Sequence, residues 1–127
     1  MSKQNLDQLC AQFGWKMADE VHKAISKNAE NHITKSLGVL QEDGVYAFFL
    51  YQASRGQREK PGADRLRDQA RELLREAAIK GFENTTNDPL QAVRDHLASD
   101  LDQLLLAKRL LEQALIYARY HAKALGG

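Results

Sequence analysis

Apolar residues recur every three or four positions along most of the chain, which is the spacing of one face of an α-helix. The sequence lacks the alternating pattern typical of a half-buried strand, and it lacks the Asn-Gly pair that marks a tight hairpin. The pattern therefore predicts an all-α fold. We expect a single compact bundle of about five to six helices over residues 1–127, with long first and last helices.

The predicted helices are separated by charged loops and loops containing Pro or Gly. They cover residues 5–27, 32–42, 44–55, 63–80, 88–99 and 100–125, with loops at 57–62 and 83–87. The third helix is apolar on every side, which predicts that it has no solvent-exposed face. Asp43 is expected to cap its start, and Gly56 to end it in the left-handed conformation. The residues predicted to form the core are Phe13, Met17, Val21, Val45, Phe48, Phe49, Leu104, Leu111 and Leu115.

The last predicted helix divides into three sectors when its residues are placed at 100° steps. One is a core stripe (Leu104, Leu111, Leu115, Ala118, Ala122 and Leu125), and a second is a flanking apolar stripe (Leu106, Leu110, Tyr117 and Tyr120). The remaining arc carries Lys108, Arg109, Arg119 and Lys123 with one acid, Glu112, and with Leu105 and Ile116 among them. Such an arc is typical of a strip that contacts phosphates, or of a solvated face whose cations complement the helix dipole. The residues alone favour the solvated face.

Acidic residues recur every fourth position in the fourth predicted helix, at Asp64, Asp68, Glu72 and Glu76. Carboxylates that bind a catalytic metal in a helical nucleotide hydrolase converge inside the bundle. These four lie opposite the apolar stripe of their helix, and neighbouring arginines stand three residues away. The pattern therefore favours surface ion pairs, and a metal-dependent hydrolase remains the competing hypothesis.

Composition narrows the possible functions further. Net charge is only +1, so binding to nucleic acid would require local segregation of basic residues. The single cysteine, Cys10, and the polar first residues lead us to expect a cytoplasmic protein, and no apolar run predicts a membrane segment. The four histidines lie in different segments, so we expect no metal site and no cofactor. Trp15 lies off the apolar stripe of the first helix, either on a second buried side or on a partner surface.

Three segments resemble the small helical subunit of type III-B (Cmr-type) CRISPR RNA-guided effector complexes. The first is Phe13-Gly14 followed by Met17 and Val21, an aromatic-small pair with apolar positions at helical spacing. The second is an apolar lead-in at 37–42 and an apolar helix that closes on Ser54-Arg55-Gly56. The third is the aromatic, basic and Ala-rich close at 117–125, where Tyr117 stands in the place of the usual Trp and Tyr120 in that of a basic residue.

This resemblance implies a noncatalytic subunit whose copies stack along a filament of larger effector subunits. It implies contact with the backbone of the guide–target RNA duplex, independent of base sequence. The RNA-binding residues are then Lys108, Arg109, Arg119, Lys123 and Arg55, and the partner-interface residues are Trp15, Tyr117 and Tyr120. A helical protein-interaction module without an RNA role is the other alternative.

Overall fold

The computed structural model describes residues 5–84 and 88–126, and every regular element within these ranges is helical. This confirms the predicted all-α bundle with long first and last helices. In chain order the α-helices are α1 (Leu6–Ile25), α2 (Ala29–Asp43), α3 (Val45–Ala53), α4 (Lys60–Glu76), α5 (Pro89–Asp95) and α6 (Leu101–Ala124). Short 3₁₀ turns, Ser26–Asn28 and Leu97–Ser99, follow α1 and α5.

Helix α1 lies at the centre of the bundle and packs most extensively against α6. The Cys10 thiol contacts the carbonyl oxygen of Leu110, and one turn later Gly14 abuts Ala114. Because the contacts advance in the same direction along both helices, α1 and α6 run parallel. Gly14 allows the close approach, since a Cβ at this position would lie 2.6 Å from the Cβ of Tyr117.

Helix α4 covers another side of α1 and runs antiparallel to it. Gly62, in the first turn of α4, packs against Ile25 at the end of α1, and Arg65 pairs with Glu20 further along.

The loop predicted at 57–62 is too long, because α4 already begins at Lys60. A proline is tolerated in the first helical turn, where its missing N–H has no intrahelical partner.

Helix α2 returns from the end of α1 and lies beside α6. The Gln41 side chain donates to the Glu112 carboxylate at 2.9 Å, near the middle of α6. The short turn after α1 places the start of α2 near the C-terminal end of α6, since α1 and α6 are parallel. Helix α2 is therefore antiparallel to α6.

The predicted ends of α3 are wrong. Helix α2 continues through Asp43, and the left-handed residue is Gly44, with φ +95°, which separates α2 from α3 without a side-chain cap. Helix α3 ends at Ala53, and Gly56 does not have positive φ. The predicted absence of a solvent-exposed face is wrong too, because Leu50 is 49% exposed on a side that none of the described helices covers.

The predicted core is buried, with one exception. Leu104 is only partly buried because it lies in the first turn of α6, at one end of the bundle. Leu125 is exposed because it follows the last residue of α6. The structure adds Phe82, whose ring stacks on Phe49 with centroids 5.9 Å apart. Within the loop predicted at 83–87, residues 85–87 lie outside the described ranges.

Caps at the starts of α5 and α6 agree with the sequence. The Asp88 carboxylate accepts from the Leu90 N–H at 3.3 Å, with Pro89 at the first helical position. The Asp100 carboxylate accepts from the Gln103 N–H at 3.2 Å. Both acids satisfy N–H groups that the first helical turn leaves free, so the predicted starts hold within one residue.

Candidate nucleic-acid interface on the last helix

The outer face of α6 lies between α2 on one side and α1 on the other. At its α2 edge the Lys108 ammonium donates to the carbonyl oxygen of Gln41 at 3.4 Å. At its α1 edge Arg109 lines a shallow groove with Leu6 and Asp7. Arg119 and Lys123 project between these edges, because they are 11 and 15 residues beyond Lys108 at 100° per residue. The structure therefore brings the four α6 residues of the predicted strip onto one face.

None of these four cations forms an ion pair with any residue in the described ranges. The arginines of helix α4 differ from these cations, because each of them is paired with a carboxylate on α4 or α1. The pairs are Arg65 with Glu20, Arg67 with Asp64 and Asp68, Arg71 with Asp68, and Arg75 with Glu72. The charge on α4 is thus neutralised locally. The charge on the outer face of α6 remains available to an anion from outside the chain.

An aromatic side chain belongs to the same face. The Arg119 guanidinium lies over the ring of Tyr120, 5.3 Å from its centroid, and Tyr120 is 62% exposed. Contact with the ring limits the conformations of the long side chain of Arg119, which is half-buried. This arrangement suits a guanidinium that binds phosphate oxygens.

The outer face also changes from apolar to basic along its length, a change that was not predicted from the sequence. Leu101 and Leu105, in the first turns of α6, are 66% and 50% exposed. At 100° per residue both fall in the sector that Lys108, Arg119 and Lys123 occupy further along. The face therefore consists of an exposed apolar start followed by a mostly basic remainder, which also carries Glu112 and Ile116.

The other predicted site residues do not join this face. Arg55 folds back on the end of α3, where its Nε donates to the Tyr51 carbonyl oxygen at 3.0 Å and its guanidinium stacks 3.8 Å from the Tyr51 ring centroid. Trp15 is 55% exposed and lines a cleft between α1 and α4 with Gln69 and Glu72. Because Trp15 is exposed, it does not lie on a second buried side of α1, which was the first of the two alternatives drawn from the sequence.

Tyr117 lies at the seam between α1 and α6 and is half-buried. Its hydroxyl donates to the Asp7 carboxylate at 2.9 Å, a hydrogen bond that is the main cause of the raised pKa of this phenol. Through this hydrogen bond Tyr117 helps to hold α1 against α6. Of the three predicted partner-interface aromatics, Trp15 and Tyr120 offer the larger free surfaces.

The acidic residues of α4 lie at the surface, as their spacing predicts. Asp64, Asp68, Glu72 and Glu76 have side-chain exposures of 34–43% and take part in the arginine pairs. Over residues 5–84 and 88–126 no three His, Cys, Asp or Glu side chains come together as a metal site would require. None of the helices in this part of the chain has the length and apolar character needed to span a bilayer.

A buried polar network between α2 and α3 was missed from the sequence. The His32 Nε2–H donates to Gln52 Oε1 at 2.8 Å, and Gln52 Nε2 donates to Ser36 Oγ at 2.8 Å. Because an amide oxygen only accepts, Nδ1 of His32 is the unprotonated nitrogen, and it is buried without a partner in the described structure. Burial lowers the pKa of His32. The available signal was Gln52, a polar residue in an otherwise apolar helix.

No family model, curated protein or solved structure matches the chain.

Proposed function

We propose that this protein is a noncatalytic subunit of a cytoplasmic RNA-guided complex and that it holds RNA through the outer face of α6. The observation that carries the proposal is the set of four α6 cations that have no carboxylate partner among the described residues, in a protein whose α4 arginines are all paired. The resemblance to the small subunit of type III-B CRISPR effector complexes supports the assembly, namely larger effector subunits, stacked copies of this chain, and guide and target RNA.

Spacing along α6 suits a short run of RNA backbone. With a rise of about 1.5 Å per residue, the four cations extend over about 22 Å from Lys108 to Lys123. Arg119 and Lys123 are one turn apart, about 6 Å, and act on neighbouring anionic groups. These groups bind phosphates, which carry no sequence information, so base pairing between guide and target supplies the specificity.

The apolar start of α6 supports assembly with other subunits. Leu101 and Leu105 are exposed beside the basic surface, so a protein that covers them would hold α6 against RNA bound on the same assembly. The interaction-module alternative uses the same leucines but predicts no affinity for RNA. RNA binding by the isolated chain therefore separates the two hypotheses.

The test is a titration of labelled duplex RNA at several salt concentrations. Four phosphate contacts with a duplex predict a slope of log K against log [salt] of about −3.6. Arg109→Glu with Lys123→Glu should weaken binding by about tenfold or more and make the slope shallower, because both side chains are exposed and hold no ion pair. RNAs of unrelated sequence should bind alike.

The matched control is Lys16→Glu with Arg58→Glu, which changes net charge equally at exposed positions away from α6. This variant should retain most of the affinity. Equal losses in both double variants would show a bulk-charge effect. Absence of salt-dependent RNA binding by the unaltered protein would contradict the proposal and favour the interaction module.

A further inference from the structure

Helix α2 has an outward surface that no part of the described chain covers. Lys35 and Glu42 are exposed there, and neither forms an ion pair or a hydrogen bond in the described structure. They are seven residues apart, so they lie about 10 Å apart on the same face of the helix. Gly38 and Val39 lie between them.

Gly38 makes no close packing contact with the part of the chain that the structure describes. A Cβ at this position would meet no atom within 4 Å, and Gly38 does not have positive φ. Glycine in a helix interior is less favourable than alanine by about 1 kcal/mol, so nothing inside the molecule explains its presence. Gly38 is partly exposed, and a residue without a side chain on a helix surface lets another backbone or a side chain approach closely.

The surface beside Gly38 is a shallow, largely apolar depression. Val39, the aliphatic part of Lys35, and Tyr51 from α3 line a cleft of about 390 Å³, and the carboxylates of Glu42 and Asp43 lie at its edge. Two contacts fix the ring of Tyr51 in place. It stacks on the ring of buried His32, and the Arg55 guanidinium lies over it. The cleft is therefore a preformed surface with a cation at one end and anions at the other.

The order of residues on this face is self-complementary. When two α2 helices meet antiparallel about a two-fold axis between Gly38 and Val39, position 35 of one copy faces position 42 of the other. Each Lys35 then meets a Glu42, and each Val39 faces the space above the partner's glycine. A two-fold interface uses the same patch twice, so such a patch must be complementary to itself.

We propose that α2 is a homodimerisation surface, and that two copies of this chain pair antiparallel about Gly38 and Val39. Two exposed ion pairs and a small apolar contact make a weak dimer that forms at high local concentration, as within an assembly. This pairing is isologous, unlike head-to-tail stacking. The inference does not rest on the proposed RNA role, because α2 and the outer face of α6 are separate surfaces.

The experiment is sedimentation velocity over a concentration series that reaches the millimolar range. The unaltered chain should shift from monomer to dimer. Lys35→Glu alone and Glu42→Lys alone each replace two attractions by two repulsions, so each should weaken pairing by about tenfold or more. An equimolar mixture of the two variants should pair again, because one carries acids at both positions and the other carries bases.

The double variant Lys35→Glu with Glu42→Lys should also dimerise, since the swap restores both pairs. Gly38→Leu should abolish the dimer without lowering the unfolding temperature, because its side chain extends into solvent in the monomer. A chain that stays monomeric throughout the series overturns the proposal. So does a dimer that survives both single reversals, or a mixture that fails to pair.

Discussion

Two glycines in helix interiors should respond in opposite directions to the same substitution. In Gly14→Ala the new Cβ would lie 2.6 Å from the Cβ of Tyr117 and 2.9 Å from the carbonyl oxygen of Ala114, well inside the ordinary contact distance of about 3.5–4.0 Å. Neither contact is the flexible end of a side chain, so α1 must move away from α6. That movement also strains the Tyr117–Asp7 hydrogen bond.

The magnitude follows from two opposing effects. Overpacking at a rigid contact costs about 2–3 kcal/mol, and the helix propensity of alanine returns about 1 kcal/mol. Gly14→Ala should therefore lower the free energy of unfolding by about 1–2 kcal/mol. Gly38→Ala has only the second effect, because its Cβ meets open space, and should raise that free energy by up to about 1 kcal/mol.

Urea unfolding followed by far-UV circular dichroism, at low protein concentration, measures both variants under conditions in which the chain is a monomer. The account requires the two midpoints to move apart, with the unaltered protein between them. A Gly14→Ala variant as stable as the unaltered protein would show that α1 and α6 do not approach as closely as described. A destabilised Gly38→Ala variant would show that Gly38 has an internal role.

Three further results are expected. Leu111→Ala should lower the free energy of unfolding by about 2–5 kcal/mol because Leu111 is fully buried, whereas Glu72→Ala should lower it by under about 0.5 kcal/mol because it loses only a surface ion pair. Similar shifts in the unfolding temperature of the two variants would contradict the assignment of Leu111 to the buried face of α6 and of Glu72 to the exposed face of α4. Because the folded state lowers the pKa of His32, the protein should lose stability as pH falls below 6.5, and His32→Gln should reduce that loss; superimposable pH–stability curves would be evidence against the buried neutral imidazole. Burial raises the pKa of Cys10 to about 11, so iodoacetamide should modify this thiol only after unfolding, and rapid labelling of the native protein would show that it is accessible.

The sequence predicted which segments are helical better than it predicted which helices pack together. Periodicity identified the all-α class and placed the starts of α5 and α6 within one residue, at positions where the structure shows Asp88 and Asp100 as caps. A break at residue 43 was predicted, but the left-handed conformation was assigned to Gly56, whereas Gly44 has positive φ; both glycines are compatible with it, and tertiary packing selects between them.

Exposure was harder to predict because it depends on which helices meet. Leu50 belongs to an apolar helix, yet one side of that helix is left uncovered by the elements in the described ranges. The His32–Gln52 hydrogen bond joins two helices whose pairing no local pattern encodes. Of the candidate site, the α6 cations were predicted because they share one helix, whereas the placement of Arg55 on Tyr51 required the folded structure.

Binding of RNA backbone by the outer face of α6 can be mapped residue by residue. Backbone amide shifts of the ¹⁵N-labelled protein are followed by NMR during titration with an A-form RNA duplex. We expect changes concentrated at Lys108, Arg109, Arg119 and Lys123, smaller at high salt and alike for unrelated RNA sequences. Changes centred on α4, or no changes at low salt, would contradict it.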